Sequence, residues 1–299
     1  MKDIDKVEDK FTFMTWDSAK AIREKVTAGT KVLIIGAGLI GLKCAEALHH
    51  LNADITVVDL ADRILPSILD VRAGEIMQKH IEDKGTKFIL GTSVEQFSKN
   101  SAKLTNGETV DFDILVIAVG VRPNTELVSD AGGKVEKGII TDLHQQTTID
   151  NVYAAGDCTV SHDCSSNTDR ILALLPNAFM QGEVAGKNMA GEETLYLNAI
   201  PMNAIGFYGL HIITAGSYDG DEDITEDADK EIYKKLVFKD GLLKGFILMG
   251  DVARAGIYTS MIKEQIPLTE VDLDLLRDKP QMMMFGKARR EEKLAGKKH

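Results

Sequence analysis

Lys31-Val32-Leu33-Ile34-Ile35-Gly36-Ala37-Gly38-Leu39-Ile40-Gly41 passes from an apolar, β-branched run straight into three glycines spaced as GxGxxG. The run is too short for a buried helix and fits a central parallel strand. Leu42 to Leu51 then carries apolar residues at helical spacing, and Asp54 to Val58 returns to a strand pattern. Strand, glycine turn, helix and strand make a βαβ unit. Upstream, Thr15-Trp16-Asp17-Ser18 offers N-caps for a short helix over Ala19 to Val26, closed by Gly29.

In a βαβ unit each glycine has a separate task. Gly36 permits the tight turn out of the strand. Gly38 has no Cβ, so the backbone there and at Leu39 and Ile40 can approach a pyrophosphate at the positive helix N-terminus. Gly41 lets the helix lie close to the strand. Asp59 follows Gly41 by 18 residues, at the end of the second strand, where a carboxylate accepts the ribose hydroxyls of an adenosine. Its charge repels a 2′-phosphate and favours NAD over NADP, with Arg63 nearby as the opposing feature. A glycine turn in a nucleotide-free α/β fold is the bland alternative.

Further on, Arg72 to Lys84 reads as a helix, and Thr86–Leu90, Ser93–Phe97 and Ala102–Leu104 as short strands with Asn106-Gly107 as a hairpin turn. Asp113 to Gly120 is another buried strand. Gly120 ends it, before Val121-Arg122-Pro123-Asn124, at the carboxyl edge where ligands of doubly wound folds sit. Gly138 to Asp142, Gln146 to Thr148 and Asn151-Val152-Tyr153-Ala154-Ala155-Gly156-Asp157 follow. Val152 to Ala155 reads as a central strand, and the small residues before Gly156 let a bulky ring approach its end, with Asp157 free to bind a hydroxyl.

This order of motifs resembles the pyridine nucleotide-disulfide oxidoreductase superfamily of FAD-dependent enzymes. The resemblance implies that Asp157, beside Gly156, binds the ribitol of FAD. Leu174-Leu175-Pro176-Asn177-Ala178, followed by Gln181-Gly182, is similar to the family's helix start beneath the flavin's pyrimidine edge, which implies Asn177 and Ala178 as flavin contacts. A helix N-terminus there favours negative charge on a reduced flavin. Ile200 to Ile262, with Gly250 to Tyr258, is similar to the C-terminal domain of rubredoxin reductases and of the NADH-oxidising part of nitrite reductases. Within it Met202 to Leu210 reads as a strand, Leu236 to Asp251 as a hairpin around Lys239-Asp240-Gly241, and the acidic stretch Asp219 to Asp229 as a surface loop.

Two features depart from the family pattern. Relatives begin with a GxGxxG unit of their own for the ADP end of FAD, whereas nothing before Gly36 supplies one and Phe11 to Val26 resembles the connector that follows it. The expectation is a chain short of about a hundred residues, the size of a βαβ-based half-domain. It holds FAD poorly unless another chain completes the sheet. Many relatives also carry a glutamate near the nicotinamide, two positions after Gly41, where this chain has Lys43.

The fold class expected is α/β: a Rossmann-like NAD-binding domain inserted in an incomplete FAD-binding domain, plus an α+β C-terminal domain. The boundaries are a connector over 1–29, the NAD(H) domain over 30–122, the flavin-domain half over 123–195 and an interface or dimerisation-like domain over 196–299. The 299 residues, 44% apolar and 27% charged, suit several packed units. A net charge of −11 argues against a nucleic-acid partner. The basic tail, Lys287 to Lys298, reads as a solvated, frayed end. With no long apolar run and a charged start, a cytoplasmic protein without a membrane span is expected. The odd set Cys44, Cys158 and Cys164, without a CxxC pair, points to packed thiols and to no metal site.

The function expected is hydride transfer from NADH to FAD, then electron passage to an acceptor such as a small redox protein. That chemistry needs positioning more than a side-chain acid or base, so no catalytic residue is named. An NADH-binding subunit completed by a separate flavin-half chain, and a nonfunctional fragment, are the alternatives.

Overall fold

In the computed structural model, which describes residues 2–295, the chain divides into two compact units, Met1–Val121 with Ile205–His211, and Arg122–Ala204 with Ile212–His299. The first is built on a five-stranded parallel sheet of order β1-β8-β2-β3-β4. Its elements in chain order are β1 (Lys10–Thr12), α1 (Trp16–Lys25), β2 (Lys31–Ile35), α2 (Leu39–His49), β3 (Asp54–Val58), α3 (Val71–Glu82), β4 (Lys87–Ile89), β5 (Val94–Phe97), β6 (Ser101–Leu104), β7 (Thr109–Asp111) and β8 (Ile114–Ile117).

β2 and β3 coincide with the strands expected, because an uninterrupted apolar run has one home, the middle of a sheet covered on both faces. α1 starts under the Thr15 hydroxyl, which accepts the Ser18 amide at 3.1 Å, and α3 under Asp70, which accepts the Ala73 amide at 2.9 Å. α2 begins at Leu39, three residues before the apolar periodicity is clear, because Gly38 serves as its N-cap. β1 is an addition to the expected connector. Phe11 pairs in parallel with Val116, in a three-residue edge strand too short to show a period.

β5, β6 and β7 form an antiparallel sheet that turns through Gly107 at φ +92°. Phe97 and Phe112, ring centroids 6.4 Å apart, pack with Leu33, Ile35 and Leu115 in the core beneath. β2 lies between β8 and β3. Their carboxyl ends are tied together where the Gly36 amide donates to Val58 O at 2.8 Å and the Ala118 amide to Ile35 O at 2.8 Å.

The second unit continues with α4 (Glu126–Asp130), β9 (Ile139–Ile140), β10 (Thr159–Asp163), β11 (Thr168–Ile171) and α5 (Leu175–Met189). β11, β10 and β9 make a small mixed sheet. Val152 to Ala155, expected as a central strand, lies outside every strand and makes one isolated antiparallel bridge, Gln146 with Tyr153. A strand is defined by its ladder, and among the described residues no parallel neighbour flanks this segment.

Five strands form the antiparallel C-terminal sheet: β12 (Met202–Phe207), β13 (Leu210–Gly216), β14 (Asp221–Asp227), β15 (Ile232–Lys239) and β16 (Leu242–Met249), in the order β12-β13-β16-β15-β14. The β15–β16 hairpin turns at Asp240 and Gly241, both at positive φ, as the Lys239-Asp240-Gly241 reading requires. The acidic stretch expected as a loop is instead mostly β14, paired along its length with β15. Charge suits an edge strand, because it discourages further pairing on the open side.

α6 (Ala255–Lys263), α7 (Leu273–Arg277) and α8 (Lys287–Ala295) complete the chain. The basic segment expected to fray is helical over 287–295, held by Arg289 to Glu270 and Lys293 to Glu264, each at 2.8 Å; its last residues, 296–298, lie outside the described range. Phe246 and Tyr258, centroids 5.4 Å apart, centre the core beneath the sheet with Leu236, Ile262 and Ile266. The buried Tyr258 hydroxyl donates to Leu276 O at 2.8 Å, fastening α6 to α7. Tyr258→Phe is expected to lower unfolding stability by about 1 kcal/mol, the value of one buried hydrogen bond, with little change in the slope of a urea titration.

Candidate functional site

The turn from β2 into α2 is a bare backbone cradle whose glycines divide into two kinds. Gly36 sits at φ +113°, and a Cβ there would overlap the Ala118 carbonyl; a Cβ on Gly41 would overlap the Gly36 carbonyl. Those two glycines are demanded by packing. Gly38 differs: a Cβ built on it meets nothing within 4 Å. The open space in front of it is where the first-turn amides of α2, at Leu39 and Ile40, lack intrahelical partners. An anion is the natural occupant of such a helix end.

Asp59 closes the cradle from the tip of β3. The Ala37 amide donates to its Oδ2 at 2.6 Å and the Ala61 amide to its Oδ1 at 2.7 Å. The carboxylate read from sequence as a ribose ligand therefore also braces the glycine turn, while remaining only partly buried. Across the sheet, Gly120 stands at φ +99° in open space between exposed Val119 and Val121, on the rim of the same edge. Arg63 pairs through Nη1 with its neighbour Asp62 at 3.1 Å. Lys43 is held by its surroundings: Nζ donates to Glu46 Oε2 at 2.6 Å and to Gly206 O at 2.5 Å, 5.0 Å from the Phe207 ring. Glu46 in turn accepts the Tyr208 amide at 2.6 Å. Sequence reasoning missed this set because its two halves lie some 160 residues apart.

In the second unit the Gly156–Asp157 loop meets the start of α5. Gly156 is at φ +89°, and a Cβ there would stand 3.6 Å from that of Ala178. The organiser is Gln181, which sequence reading quoted without a role. Its Oε1 accepts the Gly156 amide at 2.6 Å and the Thr159 hydroxyl at 3.4 Å, and its Nε2 donates to the Ser161 hydroxyl. Asp157 is left exposed beside this loop. Asn177 is fully buried; its side chain donates to Ile200 O at 3.1 Å and accepts the Tyr196 hydroxyl at 2.8 Å, so its backbone is what it offers at the helix start. The Ala178 amide is bound to Leu174 O at 2.9 Å. The amides of Leu175 and Asn177 are the first-turn donors of α5, and Pro176 has none.

The same unit contains a cavity of about 1280 Å³, lined in part by Gln145, Cys164, Tyr196, Lys263 and Arg289. None of the candidate cofactor-binding residues read from sequence lines it. Among the described residues no group of three or more His, Cys, Asp or Glu side chains could hold a metal, and no helix is long and apolar enough to cross a membrane. Burial pushes the Cys44 thiol up to about 12, and burial followed by the Asp163 carboxylate raises Cys164. Cys158 is more accessible, its Sγ 3.6 Å from Ala155 O.

Two outcomes are expected. Gly41→Ala should destabilise the fold by about 1–3 kcal/mol through overpacking, whereas Gly38→Ala should leave the melting temperature in place. A thiol-alkylation time course at pH 8 should modify Cys158 first and Cys44 only on unfolding, since little Cys44 thiolate forms below pH 12.

Residues 2–182 match the family described as pyridine nucleotide-disulphide oxidoreductase, and residues 201–266 match the rubredoxin NAD+ reductase C-terminal domain. The NADH-dependent phenylglyoxylate dehydrogenase subunit epsilon of Aromatoleum evansii is 32% identical over 266 residues, 85% of this chain and 63% of that protein. The rubredoxin-NAD(+) reductase of Acinetobacter baylyi is 30% identical over 267 residues, 86% of this chain and 64% of that one. Among solved structures, a NAD-dependent persulfide reductase from A. fulgidus superposes with a TM-score of 0.79 at 25% identity, over 90% of this chain and 55% of that one. The covalent putidaredoxin reductase–putidaredoxin complex, at 22% identity and a TM-score of 0.83 over 92% of this chain and 67% of its counterpart, shares the fold. The chain thus spans less than two thirds of the two curated relatives it matches here.

Proposed function

The chain belongs to the pyridine nucleotide-disulphide oxidoreductase family, and from that premise we propose that it carries the NADH site and the flavin-edge site of an FAD-dependent NADH:acceptor oxidoreductase. The observation that supports this most directly is the open backbone at Gly38, framed by two glycines that packing requires and braced by Asp59. Gly36, Gly38, Leu39, Ile40 and Gly41 would hold the diphosphate of NADH. The Asp59 carboxylate would hold the adenosine ribose and disfavour a 2′-phosphate by charge repulsion. Gly120 would leave the rim clear for the rest of the dinucleotide.

In the second unit, Gly156 at positive φ and exposed Asp157 fit a polyol, and the first turn of α5, whose free amides are those of Leu175 and Asn177 with Ala178 beside them, fits an electron-rich ring edge. When bound, FAD supplies the two-electron acceptor for the hydride of the nicotinamide. The residues of this chain bind and orient; none is asked to move a proton. Gln181 is a positioning residue that fixes the Gly156 amide. A small redox protein is the acceptor class we favour, since relatives named above are a rubredoxin reductase and a reductase joined to putidaredoxin. A cytoplasmic setting, in keeping with three unpaired thiols, belongs to the same proposal.

Titration calorimetry tests the reading. NADH is expected to bind at least tenfold more tightly than NADPH, and Gly38→Ala to lower NADH affinity tenfold or more without loss of fold. No heat with NADH from well-folded protein would overturn it.

A further inference from the structure

The large cavity of the second unit is lined by two groups whose bonding is incomplete. Gln145 is only 2% exposed, and its side-chain oxygen has no hydrogen-bond donor. A buried acceptor left without a donor is unfavourable. The main chain at this residue is fully engaged: its amide donates to Asp142 O at 3.1 Å and its carbonyl accepts the Ala154 amide at 3.0 Å. It also stands at φ +65°, a conformation that residues other than glycine seldom take.

Lys263, at the C-terminal end of α6, is the second group. It is half-buried and makes no ion pair or hydrogen bond among the described residues. The other charges of the wall are engaged. Lys134 pairs with Glu136 at 3.1 Å, Arg170 with Asp163 at 3.2 Å and Arg289 with Glu270 at 2.8 Å. Glu264 pairs with Lys293 at 2.8 Å, Asp169 bonds to His162 at 2.9 Å, and Asp142 accepts the amides of His144 and Gln146. Lys137 has no partner either, but it is exposed, where water serves it. Burial raises the nearby Cys164 thiol, which therefore offers Lys263 no negative charge at neutral pH, and burial pulls the Lys263 amine below its ordinary value. A half-buried ammonium in this position is short of an anion.

The walls are bound to one another. The Tyr196 amide donates to Leu143 O at 2.9 Å, the Cys164 amide to Ala199 O at 3.0 Å and Gln265 Nε2 to Cys164 O at 3.4 Å. A space of about 1280 Å³ is thus already formed, and Leu143, Ile171 and Leu197 give it apolar surface.

We infer that this cavity is a binding site, separate from the nucleotide and flavin residues, for a small organic acid: a carboxylate set against Lys263, an O–H or N–H donated to Gln145 Oε1, and an apolar body between them. Each demand excludes a class. An inorganic anion would answer Lys263 without filling the cavity or covering its apolar wall. A neutral apolar molecule would leave both polar groups unanswered, and a cation would be repelled by Lys263.

Para-hydroxybenzoate carries all three features and is the probe, with benzoate lacking the donor and para-hydroxybenzamide lacking the charge. Calorimetric titration of the whole chain should show para-hydroxybenzoate binding at least tenfold more tightly than either. Lys263→Met should weaken that binding tenfold or more. Gln145→Leu should reduce it to the level of benzoate, leave benzoate itself unchanged, and raise the melting temperature of the free protein by removing an unsatisfied acceptor. NADH binding by both variants should match that of the parent chain, since no residue proposed for NADH lines the cavity. The parent chain gives a readout that needs no substitution: para-hydroxybenzoate should slow alkylation of Cys164, which lines the cavity, and leave that of Cys158, which does not, unchanged. Absence of binding at millimolar concentration overturns the inference, as does binding that both substitutions leave unaltered or that protects the two thiols equally.

Discussion

α2 can begin where β2 ends only because no side chain stands between Gly41 and the Gly36 carbonyl, or between Gly36 and the Ala118 carbonyl. That clearance draws three strand ends and one helix start into a single edge. The helix's unpaired amides then face open space instead of the protein's own atoms. Asp59 holds the arrangement by taking the Ala37 and Ala61 amides, so the group proposed for the ribose keeps the turn in shape before any ligand arrives. Binding at such a site starts from a geometry already formed, which spares part of the ordering cost.

The second unit solves a similar problem by a different device. Its loop is fixed by Gln181, a buried side chain that joins Gly156, Thr159 and Ser161 through one amide group. Because donors and acceptors are matched there, the loop is rigid while Asp157 beside it stays exposed. The same economy appears at Asn177, whose amide is committed to Ile200 and Tyr196, leaving the helix backbone for outside contacts. In both units the polar side chains shape the backbone, and the backbone presents the site.

Much of the architecture was legible in the residues. β2, β3, the GxGxxG turn and the β15–β16 hairpin follow from local rules: apolar runs, glycines and turn residues whose conformations are set within a few positions. The misreadings share another cause. β1, β14 and the helix at Lys287 to Ala295 gain their form from partners distant in sequence, Val116 for Phe11, β15 for an acidic stretch, Glu270 and Glu264 for basic side chains. Val152 to Ala155 errs in the opposite direction, with strand composition but no ladder among the described residues.

By itself the sequence determined the βαβ unit, the three glycines with their different tasks, and the carboxylate at Asp59, because spacing along one strand and one helix dictates which backbone atoms come close. Only the tertiary structure decided that Gly38 is the open glycine, that Gln181 governs the Gly156 loop and that Lys43 is tied to Gly206. Those facts depend on atoms brought together across the fold, and no local pattern encodes a contact whose partner lies 25 residues away, as at Gln181, or 163, as at Lys43.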